Sequence, residues 1–169
     1  MRIGIDFDRV LFDTEGFKQS LFTDIDGFNE TYADAENGKG VYDPDKHAEI
    51  LEIDVSRIHE ALSKASKFLY GDIGKLDLIE SHEVVIVSRG DPNFQAEKIQ
   101  RSGALGYADD YCVVHDRSKD AADIDFLADD SRSELEQVEL REDQKFLFSR
   151  EQHGVEDILK RVQNLGRAS

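Results

Sequence analysis

The stretch Arg2-Ile3-Gly4-Ile5-Asp6-Phe7-Asp8-Arg9-Val10-Leu11 decides how this chain is read. A short apolar run ends abruptly in acids, the pattern of a buried strand that delivers carboxylates at its carboxyl end. In an open parallel sheet ligands bind in the crevice beyond that end. Asp6 and Asp8 are therefore where function is expected.

Outward from this strand, Glu83-Val84-Val85-Ile86-Val87-Ser88 is a continuous β-branched run suited to a buried central strand, with Ser88 at its end. Tyr111 to Val114, Phe126 to Ala128 and Lys145 to Ser149 read as three further short strands. Helical patterns lie between and after them: Ile73 to Ile79, the segment opened by Asp91 and Pro92, Ser131 to Val138, and Val155 to Leu165 with Val155, Ile158, Leu159 and Val162 on one face. Strands alternating with helices predict an α/β fold, a three-layer Rossmann-like parallel sheet with right-handed crossovers.

Between the first two strands the period changes. Phe17, Leu21, Phe22, Ile25 and Phe28 form a helical stripe across residues 15 to 36, weakened by Gly27 and broken by Asn37-Gly38-Lys39-Gly40. Pro44 suits a first helical turn, and the apolar spacing from Ile50 to Leu69 gives two more helices. Residues 14–71 are expected to be a small helical insertion in a core formed by residues 1–13 and 72–169.

The 169 residues are enough to bury one substantial core. With 37 acidic against 21 basic side chains the formal charge is −16, which repels phosphate backbones and anionic lipid, so neither duplex nucleic acid nor a membrane is an expected partner. Acidity spread along the whole chain fits proteins of salt-loving organisms, and occurs in mesophiles as well. The single cysteine, Cys112, excludes an intrachain disulfide and a multi-thiolate zinc site; a small hydrophobe is its expected role. The five histidines do not recur at metal-ligand spacing. With no run of 18 apolar residues and no signal-peptide pattern, a soluble cytoplasmic protein is expected.

Four polar features fall at the ends of predicted strands or in the adjoining loops: Asp6 with Asp8, Ser88, Lys119, and Asp129-Asp130. Each is weak alone in so acidic a chain. In this order they resemble the four motifs of the haloacid dehalogenase superfamily, over most of residues 1 to 150. Ile3 to Leu11 matches the first motif, except that Arg9 stands where glycine is usual. Val85-Ile86-Val87-Ser88-Arg89-Gly90 matches the second. Lys119 matches the third, with Arg117 as an alternative cation, and Asp125-Phe126-Leu127-Ala128-Asp129-Asp130 the fourth.

The resemblance implies a Mg²⁺-dependent phosphomonoester hydrolase. Asp6 would be the nucleophile and Asp8 the acid and base, a residue that favours phosphoryl transfer over dehalogenation. Lys119 would neutralise charge, and Ser88, Arg89 and Gly90 would hold the phosphoryl oxygens. Asp6, the main-chain oxygen of Asp8, Asp130 and, less centrally, Asp129 would bind the metal. Residues 14–71 would be a cap that selects a small phosphorylated substrate. The spacing of Lys119 before Asp129-Asp130 resembles the 5'(3')-deoxyribonucleotidase branch, which makes a nucleotide one expectation, with Arg9 and Phe17 as substrate-facing candidates. Arg9 also leaves open a fold that binds metabolites without turning them over. A receiver domain fits less well, because the middle strand ends in Ser88 rather than in an aspartate.

Overall fold

The structure, a computed structural model, describes residues 1–38 and 40–168 apart from the Phe22 side chain. Lys39 of the glycine break and the Phe22 member of the helical stripe thus lie outside the described residues. Five parallel strands, β1 (Arg2–Ile5), β2 (Glu83–Arg89), β3 (Asp110–Val114), β4 (Phe126–Asp129) and β5 (Lys145–Leu147), form one sheet in the order β3-β2-β1-β4-β5. The α/β class and the parallel sheet are as expected. The first strand is central: Ile5 lies opposite Ile86 of β2 on one side and Ala128 of β4 on the other.

Alternation along β2 explains the two packed layers. Val84 and Ile86 join one apolar cluster with Ile3, Ile5, Phe126 and Ala128, whereas Val85 and Val87 join a second with Leu127, Ile124 and Leu135. Gly4 occurs in β1 because a Cβ there would lie 2.9 Å from Ile124 Cδ1 and 3.0 Å from the Phe126 carbonyl. Cys112 packs partly buried against the second cluster.

Among the described residues seven α-helices accompany the sheet: α1 (Thr14–Asp24), α2 (Phe28–Thr31), α3 (Pro44–Leu51), α4 (Val55–Ala61), α5 (Pro92–Ser102), α6 (Arg132–Gln137) and α7 (Val155–Ala168). The stripe predicted over residues 15–36 is not one helix. It stops at Asp24, Ile25 turns extended, and Gly27 at φ 76° restarts a single turn, a left-handed conformation that glycine adopts without steric cost. The segment predicted as a helix at Ile73 to Ile79 is instead a 3₁₀ turn, Ile73–Leu78. Capping sets the helix starts: Asp13, Asp43, Asp54 and Asp91 each accept backbone N–H bonds at the head of α1, α3, α4 and α5. Among the described residues no helix is long and apolar enough to cross a membrane.

The helical segment between β1 and β2 is joined to the sheet by two adjacent crossings. Asp13 N–H donates to the Phe68 carbonyl at 2.7 Å and Tyr70 N–H to the Leu11 carbonyl at 2.9 Å. Beside them Arg150 donates to the Val10 carbonyl and to both Asp72 carboxylate oxygens, with its guanidinium 4.0 Å from the Tyr70 ring centroid.

Candidate active site

The carboxyl ends of β1 and β4 bring three charged side chains into one buried cage. Asp6 follows β1 directly, its N–H bonded to the Ala128 carbonyl, and Asp129 closes β4. Lys119 starts a 3₁₀ turn capped by Ser118, which turns its side chain inward. Its ammonium donates to Asp6 Oδ1 at 2.8 Å and to Asp129 Oδ2 at 2.6 Å. All three residues are at most 6% exposed. Lys119, not Arg117, is thus the cation brought to Asp6.

The charge in this cage does not balance. Two buried carboxylates share one ammonium, and partly exposed Asp130 lies beside them. Burial, helped by the Asp129 charge, raises the proton affinity of the Asp6 carboxyl although Lys119 pulls it down. Burial lowers the affinity of Lys119 for its proton, and the two carboxylates more than reverse this. Oxygens of Asp6, Asp129 and Asp130 all lie within 4.8 Å of one another. An all-oxygen donor set with surplus negative charge fits a hard divalent cation such as Mg²⁺. Asp129 is already held by Lys119 and by the Ser131 N–H, whereas the Asp130 carboxylate makes no hydrogen bond among the described residues.

Asp8 points away from this cage, into a second network. It accepts hydrogen bonds from Lys98 Nζ at 2.7 Å, Gln95 Nε2 at 2.7 Å and the Thr14 hydroxyl at 2.9 Å. Burial alone would raise the Asp8 carboxyl; the Lys98 ammonium and the hydrogen bonds outweigh it and hold the group below the usual carboxylate range. Gln95 also donates to Ser88 Oγ at 2.7 Å, so one amide spans Asp8 and the end of β2.

Gln95, Lys98 and Thr14 were not among the residues singled out from sequence. A signal existed: Gln95, Lys98 and Ser102 stand at helical spacing on the buried side of α5 with Phe94 and Ile99, where apolar residues are the rule. Polar groups buried on a helix that follows a strand-end serine imply partners on neighbouring elements.

Strand register places the Arg89 side chain, and packing places Phe17. β2 runs one residue beyond Ser88, pairing Arg89 with Val114. Alternation then sends Arg89 to the face opposite Ser88, where its guanidinium is engaged by Glu134 of α6 and by the carbonyls of His115 and Arg117. Its side chain is therefore not a free phosphate-binding cation. Phe17 is 3% exposed, its ring edge-on to Phe12 and Phe68, with only a margin reaching the adjoining cleft. That is a packing role rather than a stacking platform.

Arg9 takes φ 64°, the left-handed conformation in which glycine is at ease and an L side chain is not. Its guanidinium turns out to Glu15, 2.9 Å away, instead of into the acid cage. Gly90 lines a cleft of about 290 Å³ formed by the loop after β1, the helical segment and the start of α5, together with Asp8, Lys18, Tyr32, Tyr42 and Lys98.

The sequence matches no family model and none of the curated proteins. Solved structures do match. A haloacid dehalogenase-like family hydrolase from Xanthomonas campestris aligns over 100% of this chain and 94% of its own, with TM-score 0.56 and 16% identity. A haloacid dehalogenase-like hydrolase from Burkholderia xenovorans aligns over 79% of this chain and 75% of its own, with TM-score 0.55 and 20% identity. At these identities the likeness is one of fold: this chain has the haloacid dehalogenase-like fold.

Proposed function

We propose that this protein is a Mg²⁺-dependent phosphomonoester hydrolase acting on a small phosphorylated metabolite through an aspartyl-phosphate. The observation that carries the reading is the Asp6–Lys119–Asp129 cage beside Asp130, set at strand ends next to a cleft. The haloacid dehalogenase-like fold supports a hydrolase of that kind.

Asp6 attacks phosphorus, the bond to the leaving alcohol breaks, and the phosphoryl group stays on the carboxylate. Asp8 gives a proton to the departing oxygen, then takes one from the water that releases inorganic phosphate. An arriving phosphate dianion raises the proton affinity of Asp8, moving a carboxylate held low by Lys98 toward the protonated form that the first step needs. Ser88 and the Gly90 backbone hold phosphoryl oxygens, while Gln95 and Thr14 keep Asp8 oriented. A divalent cation held by Asp6, the Asp8 main-chain oxygen and Asp130, with Asp129 alongside, would neutralise charge on the transferring group. The segment of residues 14–71 acts as the cap, opening about the crossings near Asp13 and Tyr70.

Phosphate release from a panel of phosphomonoesters, with Mg²⁺ and after chelation, tests the reading. Turnover that needs the metal is expected; its absence from the whole panel overturns the enzyme assignment.

A further inference from the structure

The cleft differs in charge from the rest of the molecule. In a chain of net charge −16, its lining carries four cations, Arg9, Lys18, Arg89 and Lys98, against the acids Asp8, Glu36 and Asp91. Three of these cations already have carboxylate partners: Arg9 with Glu15, Arg89 with Glu134 and Lys98 with Asp8. The fourth does not. Among the described residues no carboxylate lies within ion-pair distance of Lys18.

What holds Lys18 instead is an aromatic ring. Its ammonium lies 4.4 Å from the centroid of Tyr32, whose ring is stacked on Tyr42 at 4.7 Å with 9° between planes. Tyr42 is in turn fixed by His47, whose two ring nitrogens meet the Tyr42 and Thr31 hydroxyls at 2.9 and 2.8 Å. Lys18 is half-buried, and burial together with nearby Arg9 lowers its hold on its proton. A partly desolvated ammonium, held by a ring and with Glu15 and Asp8 acting on it only from beyond ion-pair distance among the described residues, is a ready partner for an anion.

The same geometry argues against a stacked base at this wall. Tyr42 covers the Tyr32 ring and the Lys18 ammonium sits over it, so a planar ligand reaches it only by displacing one of them. Phe17 is enclosed between Phe12 and Phe68.

From these observations, and resting on the phosphomonoesterase reading above, we infer that Lys18 is a specificity-determining residue for compact phosphomonoesters whose leaving group carries a second anionic group, a carboxylate or a further phosphate. The transferring phosphoryl goes to the side of the cleft lined by Asp8 and Gly90, next in sequence to Asp6 and Ser88, and the second anion to Lys18. The surrounding acidity, which repels any polyanion elsewhere on the surface, confines such a ligand to this cleft.

The test pairs turnover with binding. With Mg²⁺ present, kcat/KM for 3-phosphoglycerate is compared with that for glycerol 3-phosphate, in wild type, Lys18→Met and Lys18→Arg. A preference for the carboxylate-bearing ester of about tenfold is expected in wild type, the size of one charge-assisted contact. It should be lost in Lys18→Met and largely kept in Lys18→Arg. Calorimetry with 3-phosphonopropionate and 1,3-propanediphosphonate against propylphosphonate reads the same preference without chemistry, and tells a carboxylate from a second phosphonate. A wild type without preference, or a preference that survives in a folded Lys18→Met protein, overturns the inference. If no ester is hydrolysed yet the Lys18-dependent phosphonate preference appears, the phosphatase reading fails and the binding assignment stands.

Discussion

The acid cage at the sheet and the cationic cleft beneath the helical segment place charge in opposite ways. In the cage Asp6 and Asp129 are buried at adjoining strand ends, and Lys119, buried at the start of a 3₁₀ turn, is held by both carboxylates at 2.8 and 2.6 Å. In the cleft Lys18 is half-exposed on a helix and held by a ring face. The strand ends are tied by sheet hydrogen bonds, so the cage is rigid and suited to positioning one reaction. The cleft is built on short helices and 3₁₀ turns that share the apolar cluster of the sheet and are joined to it by two backbone crossings.

The strongest way to break this comparison is at the nucleophile. Asp6→Asn should lower phosphate release by roughly a thousandfold or more while circular dichroism and the unfolding midpoint show a folded protein. Retained hydrolysis would remove Asp6 from the chemistry and leave the cage a structural ion cluster.

Removing the cation of the cage should be felt mainly in stability. Lys119→Ala leaves Asp6 and Asp129 buried without their ammonium, and a loss of about 3–5 kcal/mol at neutral pH is expected from urea unfolding. An unchanged midpoint would mean that water reaches the cage and that its rigidity is overstated.

The helical segment should respond more mildly and with pH. His47 is fully buried, and burial holds its pKa below the ordinary 6.5. The native state therefore binds fewer protons than the unfolded chain. The stabilisation due to neutral His47 is complete above that value and is lost as pH falls below it. His47→Ala, which deprives the Tyr42 and Thr31 hydroxyls of their partner, should cost about 1–3 kcal/mol and remove this pH dependence. Native-state hydrogen exchange resolves whether the loss falls on residues 14–71 rather than on the sheet.

The smallest effect is expected where the two regions meet. Arg9→Gly relieves a left-handed residue but loosens the unfolded chain, so a net gain of no more than about 1 kcal/mol is expected in the unfolding midpoint. A clear loss would assign the Arg9–Glu15 pair a larger part in holding the loop after β1.

The members of the cage could be singled out before the structure only through their order along the chain, since each is weak alone. Asp6 and Asp129 end or directly follow apolar runs, and Lys119 lies ten residues before Asp129. Where the Arg89 side chain goes depends on whether β2 stops at Ser88 or one residue later, and one residue changes the face in a strand. Gln95, Lys98 and Thr14 carry no motif; they matter because α5 and the loop after β1 bring them to Asp8 from 87, 90 and 6 positions away. Lys18 reads as an ordinary exposed helix residue until Tyr32 is placed beneath it.

By itself, the sequence determined the parallel α/β sheet and the residue types at its carboxyl ends, because burial of continuous β-branched runs and the period-2 and 3.6 patterns are local properties. Tertiary structure alone decided which cation meets which carboxylate. It paired Lys119 with Asp6 and Asp129 and Lys98 with Asp8, while leaving Lys18 on a ring, with no carboxylate at ion-pair distance among the described residues. Electrostatic partners are set by distance and desolvation in three dimensions, and neither is written in the order of residues along the chain.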